Sequence, residues 1–303
     1  MIERGAIGLL LAAAVALPFA VSDFWIFVLM KIAIYGLYAV SFNLLLGYGG
    51  MLAFGFTLFY GLGAYALAIL NIKFGIPIFV AICAAPFVVA AIASVIGYFC
   101  IRLSGIYFGM LTFAFQMLAY AVFVKAYHLT GGDDGLHGLD PPALLDGSMR
   151  LYFFILAVSA AAVFLIWRVT CSPFGLALSA QRNNEKKSAA IGINVRLEKW
   201  TAFVIASAFA GLAGALAGLA NQSVFPDWLD WRSSATPIVM TILGGAQNFF
   251  GPLIGALIYT VLHTMFAGYT ENWAMLMGFL IIGIVLVLPN GIISLMPRSS
   301  EHG

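Results

Sequence analysis

Charge is scarce in this chain: 9% of its 303 residues are Asp, Glu, Lys or Arg, against 63% hydrophobic, and mean hydropathy is +1.04. That balance excludes an ordinary soluble domain, because nothing would cover so much apolar surface from water. Cysteine is scarcer still. Cys83, Cys100 and Cys171 stand far apart, in or beside apolar segments, which excludes a disulfide framework and a cysteine metal cluster. We read them as small buried residues.

Chemistry-bearing motifs are missing as well. A phosphate-cradling GxxxxGK[ST] loop needs a glycine before its lysine, and no lysine here follows a glycine. The glycine pairs near Gly47 and Gly244 do not open a strand-to-helix unit, so a dinucleotide fold is excluded. HExxH, GxSxG and paired-Cys motifs are absent, no nucleic-acid role is indicated, and no catalytic residue or metal site is assigned to the chain. Any ATP this protein depends on, with its Mg, must be bound and hydrolysed by another subunit. Carboxylates are also missing from the middle of every apolar run, which removes the relay a proton-coupled carrier usually needs.

What the chain does have is apolar runs of about 17–25 residues, the length an α-helix needs to cross a hydrocarbon core, without the alternation of outer-membrane strands. The fold class expected is an all-α polytopic membrane protein, a single transmembrane domain over 1–303. It would hold about ten transmembrane or half-spanning helices at 5–21, 24–46, 56–70, 76–100, 105–124, 151–169, 200–220, 236–243, 252–267 and 273–290. The first run, with its charged start and small residues near Ala20, imitates a signal peptide. We take it as a retained span, because Phe24 to Leu46 follows at once and a helical hairpin results.

The longest strongly polar interruption is Cys171 to Trp200, with 171–199 read as a loop of one or two short surface helices. If Met1 starts in the cytoplasm, six crossings return the chain there at residue 170. Charge tests this independently: Arg4, Arg102, Arg168, Arg182, Lys186, Lys187, Arg196, Lys199 and Arg298 then lie inside, nine of fourteen Lys and Arg residues, as the positive-inside rule favours. Asp23, Asp133, Asp134, Asp140, Asp146, Asp227, Asp230 and Glu271 fall outside. Both termini are expected in the cytoplasm, and 125–150 is expected to be an extracytoplasmic loop whose glycine-rich turn folds back over the bundle.

Glycine interrupts two apolar segments, at Gly47, Gly49 and Gly50 and again at Gly244, Gly245 and Gly251. Broken helices are tolerated in a membrane only where protein or a water-filled cavity satisfies the freed backbone groups, and they often flank a transport path. The same glycines also suit turns and close helix contacts. A loose LG, GG, FG, GA pattern shared by the two stretches hints at internal duplication. Small residues at helical spacing, at Gly61–Ala64 and Ala210–Gly218, let another helix approach closely. Asn43, Thr112, Gln116, Asn221 and Gln222 are candidates for lining a path, although interhelical hydrogen bonds use the same residue types. Lys31, about two turns from the outer end of its helix, can snorkel toward water.

Taken in order, Asn43 to Gly50 (NLLLGYGG), Phe59 to Tyr65 (FYGLGAY), the Thr130 to Leu136 turn, Ser172-Pro173-Phe174-Gly175, Gly192-Ile193-Asn194-Val195, Gly244-Gly245, Phe250-Gly251-Pro252 and Leu288-Pro289-Asn290-Gly291 carry a resemblance over nearly the whole chain. The sequence resembles the LivM-type permeases of ABC importers for branched-chain amino acids, a group whose relatives also handle urea, amides and some aromatic acids. The resemblance implies an inner-membrane permease subunit for Leu, Ile and Val or a related small solute. Its implied partners are a second permease, two ATP-binding subunits, an extracytoplasmic solute-binding protein and the lipid bilayer. It also implies that the loop at 171–199 is the coupling element for an ATPase: Ser172 to Gly175 begin it, Arg182, Glu185, Lys186 and Ala189 lie on a docking helix over 182–190, and Gly192 marks its turn. Lys186-Lys187-Ser188 departs from the apolar or alanine residues common in relatives, and suits an acidic groove. A stand-alone secondary transporter and a membrane scaffold without a solute path remain the alternatives.

Overall fold

A computed structural model describes residues 17–19 and 21–269, with 275, 276, 278, 279, 282, 283, 291 and 292. Among the described residues six helices are long and apolar enough to cross a membrane: Asp23–Tyr48, Ile78–Cys100, Ile106–Lys125, Ser148–Thr170, Val195–Asn221 and Gly251–Gly268. The runs expected at 56–70 and 236–243 form shorter helices, and those at 5–21 and 273–290 fall largely outside the described residues. Among the described residues, six spans and two half-length helices fill eight of the ten expected segments.

In chain order the α-helices of six residues or more are α1 (Asp23–Asn43), α2 (Thr57–Ala68), α3 (Ile78–Cys100), α4 (Ile106–Lys125), α5 (Ser148–Thr170), α6 (Pro173–Asn183), α7 (Glu185–Ala190), α8 (Val195–Asn221), α9 (Ala235–Gly244) and α10 (Gly251–Tyr269). The centre is α8, which packs against α1, α2 and α3 and is the most enclosed of the spans, 72% of its apolar window being buried. Its composition makes this possible. A Cβ on Gly63 would stand 1.9 Å from the Gly211 carbonyl oxygen, and one on Gly214 would stand 1.8 Å from that of Tyr60, so α2 and α8 meet backbone to backbone. Only glycine allows that approach, which gains dispersion contacts lipid cannot match.

The outer faces stay apolar. Phe87, Val95, Tyr107 and Leu118 on α3 and α4 are exposed, as lipid-facing side chains should be and water-facing ones should not. Of the cysteines, Cys100 is buried, whereas Cys83 and Cys171 are exposed, which corrects the expectation that all three are buried. Cys83 belongs to the same outward face of α3, and a small apolar thiol is as well accommodated by lipid as by a core.

The helix directions sort the charges. One end of the bundle collects the ends of α3 and α5 and the starts of α4 and α8, with Arg102, Arg168, Arg182, Lys186, Lys187, Arg196 and Lys199. The opposite end carries Asp23, Asp133, Asp134, Asp140 and Asp146. There the glycine-rich turn folds back as expected, although through strand pairing: Leu136 pairs with Val224 and His137 with Ser223 in a short antiparallel ribbon, and the His137 ring meets Phe225 at 5.2 Å. Positive φ at Gly131, Gly132, Gly135 and Gly138 gives the turn its shape.

Candidate functional site

The loop at the basic end is two helices with a defined break. Pro173 sits at the first position of α6, where its missing N–H costs nothing, after Ser172, whose hydroxyl donates to the Val169 carbonyl. Phe174 follows, and a Cβ on Gly175 would stand 2.1 Å from the Thr170 carbonyl oxygen, so the chain can fold this tightly back on α5. The single docking helix expected over 182–190 is corrected: α6 ends at Asn183, and Asn184 caps α7 by accepting from the Lys187 N–H at 3.0 Å. An asparagine side chain competes for backbone hydrogen bonds and favours a helix start over a helix interior. Asn194 caps α8 likewise, accepting from the Leu197 N–H, and Gly192, at φ 92°, turns the chain between the two. Arg182, Lys186, Lys187 and Ala189 are exposed, as are Leu176 and Ile191.

Polar contacts from Arg182 and Glu185 tie this loop to the bundle. Arg182 Nη1 donates to the Gly47 carbonyl, and its Cγ lies so near Gly50 that a Cβ there would stand 2.9 Å away. Glu185 pairs with Lys199, whose side chain is only 11% exposed against 52% for Glu185. A pocket of about 340 Å³ runs between this pair, Gly50–Leu52 and Ser104–Ile106.

Gly47, Gly49 and Gly50 belong to an interrupted helix. Beyond Asn43, α1 widens into a π-helical turn over Leu44–Tyr48, closed by the Gly49 N–H reaching the Leu44 carbonyl at 3.2 Å. The chain then runs back through 50–56 to the start of α2. Gly244, Gly245 and Gly251 bound the turn from α9 to α10, and the two turns touch: a Cβ on Gly47 would stand 2.2 Å from the Ala246 carbonyl oxygen, and Asn43 Nδ2 donates to the Asn248 carbonyl at 3.3 Å. The loop at the basic end, the first glycine turn and the second are thus joined in series.

Further along α1 a cavity of about 190 Å³ opens. One stripe of α1, Lys31, Tyr35 and Tyr38, faces it at the spacing that keeps residues on one side of a helix; Asn221, Thr57 and Thr236 close it from α8, α2 and α9. Tyr38 lies near the middle of the span Asp23–Tyr48, so α2 begins at about half height. The Tyr38 hydroxyl is 2.8 Å from Thr57 Oγ1, which donates to the Ser233 carbonyl at 3.2 Å; with the threonine proton so engaged, tyrosine is the donor in the first bond. Two half-length helices, α2 and α9, therefore start at one level beside the cavity.

The five path candidates separate. Asn221 lines the cavity, its Nδ2 donating to Ala217. Asn43 lies between the glycine turns. Thr112 is buried, donating to Gly109 O at 2.7 Å and accepting from the Gly55 N–H at 3.3 Å. Gln116 is fully buried: its Nε2 donates to Leu229 O at 2.9 Å and Asp230 O at 3.0 Å, and its Oε1 accepts from Ser234 at 2.7 Å, so it clamps the 226–234 segment onto α4. Gln222 is exposed and ends α8 in the left-handed region, at φ 55°. Tyr35, Tyr38, Thr57 and Thr236 line the cavity without being among the sequence candidates. The polar stripe Lys31, Tyr35, Tyr38 was findable by its spacing; Thr57 and Thr236 were not, since only tertiary packing brings them together.

Six apolar spans, two glycine turns that interrupt helices and a small polar cavity between half-length helices define a multi-pass membrane protein of permease type. The chain belongs to the family described as branched-chain amino acid transport system / permease component, which matches residues 24–286. It is 27% identical to the high-affinity branched-chain amino acid transport system permease protein LivM of Escherichia coli, over 94% of this chain and 73% of the relative. A probable LivM of Methanocaldococcus jannaschii is 27% identical over 63% of this chain and 61% of its own. The galactose/methyl galactoside import permease protein MglC of Salmonella typhimurium is 26% identical over 55% and 52%. No solved structure matches the chain.

Proposed function

We propose that this chain is the membrane permease subunit of an ATP-driven ABC importer for branched-chain amino acids (Leu, Ile, Val) or a related small amino acid or amide. It works with a second permease subunit, two ATP-binding subunits that hold ATP and Mg, and an extracytoplasmic solute-binding protein. The complex sits in the inner membrane of a bacterium, with the basic end and both termini in the cytoplasm, the side the positive-inside rule favours.

The observation that carries this reading is the bond from Arg182 to the Gly47 carbonyl. A segment exposed at the basic end grips the interrupted end of a spanning helix whose other half lines a cavity. ATPase closure pushing on 172–192 moves the glycine turns, and through them α1, α2 and α9, switching the cavity between outward and inward access. The exposed face, with Lys186, Lys187, Leu176 and Ile191, suits a groove that is acidic at its rim and apolar within.

The test is ATP-driven leucine uptake by the assembled complex in proteoliposomes. Arg182→Ala leaves ATP hydrolysis within about twofold and cuts uptake at least about tenfold, the scale of one charge-assisted hydrogen bond. Normal coupled uptake after disruption of residues 182–192 sinks the coupling role. Uptake by the purified chain alone, driven by an ion gradient without ATPase partners, overturns the importer assignment in favour of a secondary transporter.

A further inference from the structure

We propose that the cavity beside α1 is a stopping place for the carboxylate of the transported solute, with Lys31 as its cationic contact; this rests on the permease reading and adds to it the place and the residue that hold the carboxylate. Lys31 lies eight residues into α1, about 12 Å from the helix start, within an apolar span where a charge is expensive and is retained for use. Its ammonium rests over the Phe27 ring at 4.7 Å, and among the described residues no carboxylate pairs with it. Snorkelling explains the outward lean of the side chain but not its place on a cavity wall.

The other groups on that wall share the same electrical sense. Among the described residues, no Asp or Glu lines the cavity. The Thr57 proton is engaged by the Ser233 carbonyl, leaving Lys31 as the strongest donor there. The starts of α2 and α9, the positive ends of their helix dipoles, lie at one level. A cation without a resident acid, in the wall of a cavity that also takes in two positive helix ends about two turns deeper, is complementary to an anionic group that arrives and leaves. Trp228 and Tyr60 add aromatic faces for an apolar side chain or an ammonium. A volume of about 190 Å³ is below that of drug-sized sites and admits one small solute. The ligand class is therefore small monocarboxylates, free α-amino acids included, in preference to neutral sugars.

The assembled complex in proteoliposomes, given radiolabelled L-leucine, tests this. Lys31→Met lowers leucine uptake about tenfold or more while basal ATP hydrolysis stays within about twofold, and Lys31→Arg recovers most of the uptake. Wild-type uptake by Lys31→Met overturns the carboxylate site and leaves the permease reading standing; absence of ATP-driven leucine uptake in the wild-type complex overturns both. A second measurement avoids changing Lys31. In a background with Cys83, Cys100 and Cys171 replaced by Ala, Thr236→Cys is labelled by a small thiol reagent in the complex. Slowing by L-leucine but not by L-leucinamide, which lacks the carboxylate, supports the site; equal slowing by both, or by neither, overturns it.

Discussion

Two hairpins, α1–α2 and α9–α10, carry the same glycine signature and use it differently. In the first, the chain leaves a π-helical turn at Gly49, runs back through 50–56 and starts α2 only at Thr57; the glycines of α2 then meet those of α8. In the second, a turn over 245–250 leads to α10, which starts at Gly251 and packs on α9, a Cβ on Gly255 standing 1.8 Å from the Met240 carbonyl oxygen. One hairpin is sewn into the centre of the bundle and held at its turn by Arg182; the other closes on itself and lies along α1, where Thr241 Oγ1 donates to the Ala39 carbonyl at 3.4 Å. A small-residue pattern thus licenses close approach without choosing the partner. The partner determines whether a glycine serves the core or a local turn.

Substitution can break that comparison. The largest effect is expected at the α2–α8 crossing: Gly214→Leu drives a side chain into the Tyr60 carbonyl, where no rotamer relieves the clash, and abolishes a monodisperse folded chain on gel filtration in detergent. The matched change Gly255→Leu parts α9 from α10 but leaves the α2–α8 contact, so the chain stays folded with a lowered thermal midpoint. Equal collapse of both variants erases the distinction between the hairpins.

A smaller effect is expected at the basic end. Glu185→Gln leaves the nearly buried Lys199 without its counter-charge, and because Glu185 is half exposed the loss is about 1–2 kcal/mol, read as earlier thermal unfolding. Unchanged unfolding shows that α7 is not held to α8 by this pair. The smallest effect has the opposite sign. Gln181 on α6 is fully buried, and neither amide atom finds a hydrogen-bond partner among the described residues. Gln181→Met should raise the unfolding midpoint by the equivalent of about 1 kcal/mol while slowing coupled uptake, if the amide is satisfied in the alternate state of the transport cycle. A lowered midpoint with normal uptake contradicts both parts.

How much of this was readable beforehand differs residue by residue. The polar loop and its end of the bundle follow from charge counts, yet its break does not: a docking helix over 182–190 runs through Asn184, although Asn followed by Glu185 is an ordinary helix-start signal. Thr112 and Gln116 stood on the same footing as Asn221 in the sequence. Three-dimensional packing separates them, turning Gln116 onto the 226–234 segment, 113 residues away, and Asn221 toward the cavity. Lys31 read as a snorkelling lysine because its helix neighbours are apolar; the cavity beside it is built by elements that arrive much later in the chain.

What the sequence by itself determined was the solvent: composition and run length require lipid around this chain, and the alternation of basic and acidic links orders its two ends, because both depend on residues close together in the chain. The tertiary structure alone decided which polar groups meet. Thr57 and Ser233 lie 176 positions apart, and their bond exists only because α2 and α9 both start at half height and because α2 can lie against α8 with no side chain between them. Hydropathy records how deep a residue can go; helix rotation and re-entry, which no local pattern encodes, decide what it finds there.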